Sequence, residues 1–198
     1  MDITKRIRCG YNDRCYSLLF VGSSGVGKSR LAKEYANILV GADNLIRMDM
    51  SEYSDSTAVN KILGSSPGYI GYDDNKNVLE EIRNKPNSVL LLDEIDKAHP
   101  NVINLFYQIL EEGKIKNSKG REVRFNNVVV IMTSNIGFEK NGIGFNKKND
   151  SSVISSLKGY FNTAFINRID NIIVFDRLDD TSITVSYTHL RAHETVLD

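Results

Sequence analysis

The chain has 198 residues, with 25 lysines and arginines against 25 aspartates and glutamates, and 41% of its residues are hydrophobic. This length corresponds to one globular domain, or one domain and a fragment, and folding could bury roughly 70% of the unfolded surface. The balanced charge argues against a protein that binds mainly by neutralising nucleic-acid phosphates. Cys9 and Cys15 are too few for a disulfide framework, and no apolar run is long enough to span a membrane, so we predict a soluble cytoplasmic protein.

Short apolar runs alternate with amphipathic stretches from Ser17 onwards, which is typical of a parallel sheet with crossover helices. Each run is rich in Val, Ile and Leu, as expected of strands buried on both faces. The predicted strands are SLLFV, NLIRM, SVLLLD, NVVVIMTS and NIIVF. Apolar residues at helical spacing predict helices over Lys28–Leu39 and Val102–Leu110. The pattern therefore predicts an α/β fold with a doubly wound, five-stranded parallel sheet and helices on both faces.

Two further segments have their own patterns. Residues 113–125 alternate polar and apolar side chains around Ser118, Lys119 and Gly120, which predicts a hairpin inserted before the fourth core strand. Residues 141–156 are polar and rich in Gly, Asn and Ser, so we predict a mobile loop there.

A phosphate-binding loop follows the first strand. The sequence GSSGVGKS matches G-x-x-x-x-G-K-[ST] directly after SLLFV and directly before the first predicted helix, which is the context that the motif requires. Backbone N–H groups of such a loop surround the β-phosphate, the lysine reaches the β- and γ-phosphates, and the serine hydroxyl binds Mg²⁺. The predicted nucleotide-binding residues are Gly22, Ser23, Ser24, Gly25, Val26, Gly27, Lys28 and Ser29.

Two carboxylates end the third predicted strand. Asp93 is placed to hold the hydration shell of Mg²⁺, and Glu94 is placed to orient and deprotonate an attacking water. An isolated Asp-Glu pair would be an ordinary strand end or helix start, but the preceding phosphate loop favours the catalytic interpretation. A small-molecule kinase rarely needs a water-activating glutamate, so the pair favours ATP hydrolysis.

Five motifs occur in this order along the chain: GSSGVGKS, SSPGYIGYDD, VLLLDEIDKAHPNV, VVVIMTSNIG and AFINRID. Their order and spacing resemble the second ATPase module of Hsp100/Clp proteins, within the AAA+ family of P-loop NTPases. The resemblance covers about residues 3–183 and implies a doubly wound α/β domain followed by a helical lid. It further implies hexameric rings that use ATP and Mg²⁺ to unfold and thread protein substrates.

Four functional assignments follow from this resemblance alone. Asn135 matches the polar sensor that helps to place the hydrolytic water, although alone it would be a turn residue. Arg168 matches the arginine finger presented to a neighbouring subunit, although alone it would be assigned to a helix-end salt bridge. Tyr69 matches the aromatic pore loop that grips substrate. Ile143, Gly144 and Phe145 resemble the tripeptide that docks a ClpP-like peptidase, the alternative being an apolar patch that pins the loop to its own domain.

The resemblance also sets the expected domain boundaries. We expect residues 1–16 to be the remnant of a linker and residues 17–184 to form the ATPase core, with the helical lid missing. Val185–Asp198 is not lid-like, and Val185–Thr195 is similar to a translated transposase sequencing adapter. We therefore expect residues 185–198 to be a non-native tail and exclude them from fold reasoning.

Three functions are compatible with these features. The leading prediction is an ATP-driven unfoldase module acting on unfolded or tagged proteins, with neither nucleic acid nor membrane as a partner. One alternative is a nucleotide-switched assembly or DNA-associated AAA+ module, against which the neutral charge and Tyr69 argue. Another is a fragment of the unfoldase that is inactive alone.

Overall fold

The structure, a computed structural model, describes residues 14–64, 77–138 and 150–175. Its strands are β1 (Tyr16–Gly22), β2 (Leu45–Asp49), β3 (Val89–Asp93), β4 (Lys114–Lys116), β5 (Glu122–Arg124), β6 (Val129–Ser134) and β7 (Asn171–Phe175). Its α-helices are α1 (Lys28–Val40), α2 (Ala58–Leu63), α3 (Val78–Asn84), α4 (Pro100–Glu112), α5 (Asp150–Tyr160) and α6 (Thr163–Arg168). Short 3-10 turns cover Ala42–Asn44, Met50–Tyr53 and Ile95–Lys97.

The central sheet is parallel and has the strand order β2-β3-β6-β1-β7. These are the five strands that the apolar runs predict, so the predicted five-stranded parallel sheet is confirmed. After β1 the chain crosses to the far edge strand β2, returns through β3 and β6, and finally adds β7 on the other side of β1. A crevice forms at the carboxyl ends of strands where the direction of crossing reverses, which here is beside β1.

Helices cover both faces of the sheet. All residues of β3 and β6 are buried, because their alternating side chains enter two separate apolar cores. On one face, Ala32 and Ala36 bring α1 against the sheet, while α2 to α6 pack on the other face. Cys15 is a free, buried thiol whose pKa is raised to about 12 by burial. Among the described residues, no helix is long and apolar enough to cross a membrane.

Both predicted long helices are present and extend slightly beyond the predicted bounds. Helix α4 begins at Pro100, a favoured first residue, and His99 Nδ1 accepts a hydrogen bond from the Asn101 N–H at 3.2 Å. It ends at Glu112 and is capped by Gly113, which has a φ of 67°. The sequence analysis missed the shorter helices α2, α3 and α6, because each presents only two buried apolar side chains to the core.

The predicted hairpin is confirmed. Strands β4 and β5 pair antiparallel as a separate two-stranded sheet before β6. The Asn117 side-chain oxygen accepts hydrogen bonds from the N–H groups of Lys119 and Arg121, and Gly120 has a φ of 73°. A polar side chain that replaces backbone acceptors and a glycine at positive φ are the ordinary requirements of a tight turn.

The prediction of a loop over residues 141–156 is wrong for its last part. Residues 141–149 lie outside the described ranges, but α5 begins at Asp150 and continues through Ser156 to Tyr160. Val153 and Leu157 are four residues apart and fully buried, and Phe161 follows at the same spacing. The serine-rich composition concealed this apolar stripe, whose burial stabilises the helix despite weak local propensity.

The end of β1 leaves no space for a side chain on Gly22. A Cβ there would lie 2.8 Å from Phe175 Cβ and 2.9 Å from the Phe175 carbonyl oxygen on β7. We predict that Gly22→Ala lowers the free energy of unfolding by about 1–3 kcal/mol, measured by urea denaturation. Gly159→Ala is the control, because it lies in α5 with open space around it and should stabilise the protein by about 0.5–1 kcal/mol. Equal stabilisation by both substitutions would contradict the close packing of β7 on Gly22.

Candidate functional site

The carboxyl ends of β1, β6 and β3 lie side by side and bring the predicted site residues together. Residues 23–27 follow β1, Asn135 follows β6, and Asp93 and Glu94 lie at the end of β3. Because β6 lies between β1 and β3, residues from distant parts of the sequence meet at one edge of the sheet. This edge is the crevice beside β1 that the strand order predicts.

The loop between β1 and α1 has the backbone of an anion cradle. Gly25 and Gly27 have φ values of 82° and 94°, a region that glycine enters without steric cost. Gly27 caps α1 and has no side chain that could accept hydrogen bonds from the first turn of that helix. The N–H groups at this positive helix end therefore remain available to phosphate oxygens.

Lys28 is held at the centre of the site. Its Nζ donates three hydrogen bonds of 2.8 Å, to the carbonyl oxygens of Gly22 and Ser23 and to Asn135 Oδ1. Burial lowers the pKa of the Lys28 ammonium, while the negative charges of Asp96, Glu94 and Asp93 oppose this shift. The ammonium is thus positioned between the loop and the end of β6, where it can transfer hydrogen bonds to a phosphate.

Ser29 and Asp93 form the part of the site that fits a magnesium ion. Ser29 Oγ donates to Asp93 Oδ1 at 2.7 Å, which leaves the lone pairs of the hydroxyl available. Burial would raise the pKa of Asp93, but hydrogen bonds from Ser29, Thr133 and Arg47 outweigh it and lower the pKa. An ionised carboxylate and a hydroxyl, completed by phosphate oxygens and water, are the ligands that Mg²⁺ prefers. The residues present therefore fit the ion.

Thr133 is a site residue that the sequence analysis missed. Its buried hydroxyl donates to Asp93 Oδ1 at 2.7 Å and accepts from the Glu94 N–H at 2.9 Å. Glu94 has φ 57° and ψ 53°, the left-handed conformation that a non-glycine residue rarely adopts. Thr133 therefore fixes both carboxylate residues from the neighbouring strand. The sequence shows Thr133 only as part of the apolar run VVVIMTS, and such a run indicates a buried strand and not a functional residue.

Asp96 is a second missed residue. Its side chain is buried, and its Oδ1 accepts from the Asn135 N–H at 3.3 Å. The other carboxylate oxygen has no hydrogen-bond partner among the described residues, although Lys97 Nζ lies 3.8 Å from it. Asp96 thus connects the turn after β3 to the backbone of Asn135, and its charge acts on Lys28.

Arg47 is the third residue that sequence patterns did not indicate. From β2, its Nη2 and Nε donate to Asp93 Oδ2 at 2.6 Å and 3.2 Å. Arg47 is the exposed residue of a strand whose burial alternates, so from the sequence it looks like an ordinary solvent-facing position. Only the pairing of β2 with β3 reveals that it reaches the site.

Arg168 lies away from this site within its own chain. Its carbonyl oxygen accepts a hydrogen bond from Ser17 Oγ at 3.3 Å, at the start of β1. Gly22 is at the other end of that strand, roughly 16 Å away at the usual rise per residue. This separation exceeds the reach of an arginine side chain. The Arg168 guanidinium instead pairs with Glu111 near the end of α4, as the salt-bridge alternative predicts.

The remaining predicted positions lie outside the described residues. They are the pore-loop residue Tyr69 and the peptidase-docking residues Ile143, Gly144 and Phe145. The predicted tail, residues 185–198, also lies outside them. These assignments stay predictions from the sequence.

The geometry defines a class of protein. A glycine loop between a strand and a helix, a lysine and serine at the helix start, and an Asp-Glu pair on a neighbouring strand together define a P-loop NTPase. The family model described as AAA domain (Cdc48 subfamily) matches residues 13–172. The chain therefore belongs to the AAA+ ATPases, as an ATPase module of the Hsp100/Clp group.

Individual relatives support the same group. The chain is 43% identical to the negative regulator of genetic competence ClpC/MecB of Bacillus subtilis, over 91% of this chain and 24% of that protein. It is 43% identical to the chaperone protein ClpB of Helicobacter hepaticus, over 91% of this chain and 22% of that protein. The chain thus spans about a quarter of the length of these curated relatives.

A solved structure agrees in fold and in sequence. The closed-state cryo-EM reconstruction of Hsp104 with ATPγS and FITC-casein matches with a TM-score of 0.83 and 37% sequence identity. The match covers 95% of this chain and 34% of the Hsp104 chain. The fold described above is therefore that of an AAA+ module, including the parallel sheet and the helices on both faces.

Proposed function

We propose that this chain binds ATP with Mg²⁺ and hydrolyses it. The observation that carries the proposal is the convergence of Lys28, Ser29, Asp93, Glu94 and Asn135 at one edge of the sheet. A lysine beside a glycine loop suits the phosphates of a nucleotide, and an Asp-Glu pair suits hydrolysis more than transfer to a second substrate.

Each residue has a separable role in this proposal. Lys28 would exchange its carbonyl and amide acceptors for the oxygens of the β- and γ-phosphates. Ser29 and Asp93 would hold Mg²⁺, which supplies positive charge to the phosphates and stabilises charge that develops on them. Glu94 would take a proton from the attacking water. Thr133 fixes its backbone, and Glu94 comes directly after Asp93 in the sequence.

Asn135 is suited to position the water and the γ-phosphate. Its side-chain oxygen is engaged by Lys28, so its amide NH₂ remains the group that can donate hydrogen bonds towards a ligand. Its backbone N–H is held by Asp96. Lys28 and Asp96 thereby hold Asn135 from two directions.

Arg168 would act on the nucleotide of a neighbouring subunit. Its position at the opposite end of β1 supports this role, because it cannot approach the phosphate loop of its own chain. A cation supplied from a neighbour would stabilise the transition state and make hydrolysis depend on assembly. We propose a homo-hexameric ring for the complete protein, because the resemblance to Hsp100/Clp modules implies one.

The wider function that we propose is ATP-driven unfolding and translocation of proteins in the cytoplasm, with Tyr69 as the substrate-gripping residue. The support comes from the similarity to ClpB and ClpC, and from an Hsp104 structure that contains casein. Similarity to ClpL, the ATP-binding subunit of an ATP-dependent Clp protease in Staphylococcus aureus, supports a peptidase partner that Ile143, Gly144 and Phe145 would dock.

Mixing two inactive variants tests the proposed site and the role of Arg168 together. Arg168→Ala should reduce ATP turnover by about 10³-fold while retaining ATP binding. Glu94→Gln chains lack the base but keep Arg168, so an equal mixture of the two variants should regain turnover at the sites of the Arg168→Ala chains. Steady-state phosphate release against protein concentration is the measurement.

Glu111→Gln is the matched control, because it breaks the same ion pair while leaving Arg168 in place. Its turnover should stay close to that of the parent. Equal loss of turnover in Glu111→Gln and Arg168→Ala, without recovery in the mixture, would assign Arg168 to the structural salt bridge alone.

A further inference from the structure

Arg47 and Asp93 lie on the same face of two neighbouring strands. In the register of β2 and β3, Arg47 pairs with Leu91 and Asp49 with Asp93, so Arg47 and Asp93 are diagonal neighbours. Leu45 on β2 and Leu91 on β3 belong to the core under α1, which places Arg47 on the side of the sheet that carries Ser29. The diagonal spacing across two strands is within reach of a long side chain.

The Asp93 carboxylate has no free acceptor position in this arrangement. Oδ1 accepts from the hydroxyls of Ser29 and Thr133, each at 2.7 Å. Oδ2 accepts from Nη2 and Nε of Arg47 at 2.6 Å and 3.2 Å. Two oxygens offer about four lone-pair sites, and all four are used. A water bound to Mg²⁺ therefore has to displace one of these donors before it can bond to Asp93.

Arg47 is the donor that can leave most easily. The Thr133 side chain is fully buried, and Ser29 is the hydroxyl that would itself contact the ion. The Arg47 side chain is 46% exposed, so its guanidinium can turn into water without being left buried and unpaired. Its positive charge also opposes the approach of a second cation to the same carboxylate.

We propose that Arg47 competes with Mg²⁺ for the Asp93 carboxylate, and that it must yield Oδ2 for Mg²⁺ to bind. Arg47 thereby sets the concentration of Mg²⁺ at which nucleotide binds tightly. It acts as a positioning residue through Asp93 and does not touch the nucleotide. This inference rests on the proposed binding of ATP with Mg²⁺.

The test measures the binding of a fluorescent ADP analogue as a function of free Mg²⁺. In Arg47→Gln, we expect the Mg²⁺ midpoint to fall roughly fivefold, with nucleotide affinity in EDTA unchanged. Arg47→Lys keeps the charge but loses the two-pronged geometry, so its midpoint should lie between those of the parent and Arg47→Gln. Arg83→Gln is the matched control, because Arg83 is 43% exposed and pairs with Glu80 on α3.

A Mg²⁺ midpoint in Arg47→Gln that equals or exceeds that of the parent would overturn the proposal. If Arg47→Gln folds poorly, the Mg²⁺ midpoint of Arg47→Lys is measured in its place, because that variant retains a cation at the same strand position. Thermal unfolding without nucleotide distinguishes the proposed role of Arg47 from a purely structural one. A purely structural role predicts that Arg47→Gln lowers the stability of the protein and leaves the Mg²⁺ midpoint unchanged. Failure of the parent chain to bind nucleotide at any Mg²⁺ concentration would instead contradict the proposed function.

Discussion

Lys28→Met is expected to weaken the binding of ATP with Mg²⁺ by at least about 100-fold. The substitution keeps the length of the side chain but removes a cation that would form charge-assisted hydrogen bonds to two phosphates, each contributing about 1.5–3 kcal/mol. The same change should alter the stability of the nucleotide-free protein little. Burial already lowers the pKa of Lys28, so desolvation offsets much of the gain from its three hydrogen bonds.

Binding of a fluorescent ATP analogue and urea unfolding together measure this effect. Lys33→Met is the control, because Lys33 lies on the same helix and is exposed. It should leave both nucleotide affinity and stability close to those of the parent. An affinity of Lys28→Met within tenfold of the parent would contradict the role of Lys28 as the phosphate-binding cation.

Glu94→Gln is expected to separate binding from hydrolysis. The substitution preserves the shape of the side chain and the hydrogen bond from the residue 94 backbone to Thr133, so the affinity for ATP should be retained. Loss of the general base should lower turnover by about 10²–10⁴-fold. Steady-state and single-turnover phosphate release, under conditions where the parent hydrolyses ATP, are the measurements.

Glu112→Gln provides the comparison for this prediction. Glu112 is an exposed carboxylate at the end of α4. It is not among the residues that follow the carboxyl ends of the strands. Its substitution should leave turnover unchanged. If Glu94→Gln retained full turnover, the water would have to be activated by another group. If instead it lost ATP affinity, Glu94 would contribute to binding more than to chemistry.

The local parts of the site could be predicted because each is encoded by neighbouring residues. The loop Gly22–Gly27 and Lys28 form one continuous motif between a strand and a helix, and Asp93 and Glu94 end one apolar run. Backbone conformation and helix polarity act over a few residues, so sequence spacing alone specifies them. The prediction of a loop over residues 150–156 failed because the one buried apolar side chain in that segment, Val153, is outnumbered by four serines.

The contacts between these parts depend on strand order. Thr133 contacts both Asp93 and Glu94, although Asp93 lies 40 residues earlier in the sequence. Asp96, in the turn after β3, holds the backbone of Asn135 at the end of the neighbouring strand β6. No spacing rule predicts which of several parallel strands will be adjacent. The side chains that orient the site therefore become visible only once the sheet is assembled.

The sequence by itself determined the five strands, the phosphate loop and the Asp-Glu pair, because each depends on residues that are adjacent in the chain. Only the tertiary structure decided that Arg47 binds Asp93 and that Arg168 lies at the opposite end of β1 from the loop. Both facts depend on the assembled sheet, in which β2 pairs with β3 and β7 pairs with β1. Long-range packing, and not local sequence, fixes which charges meet at the carboxyl edge of the sheet.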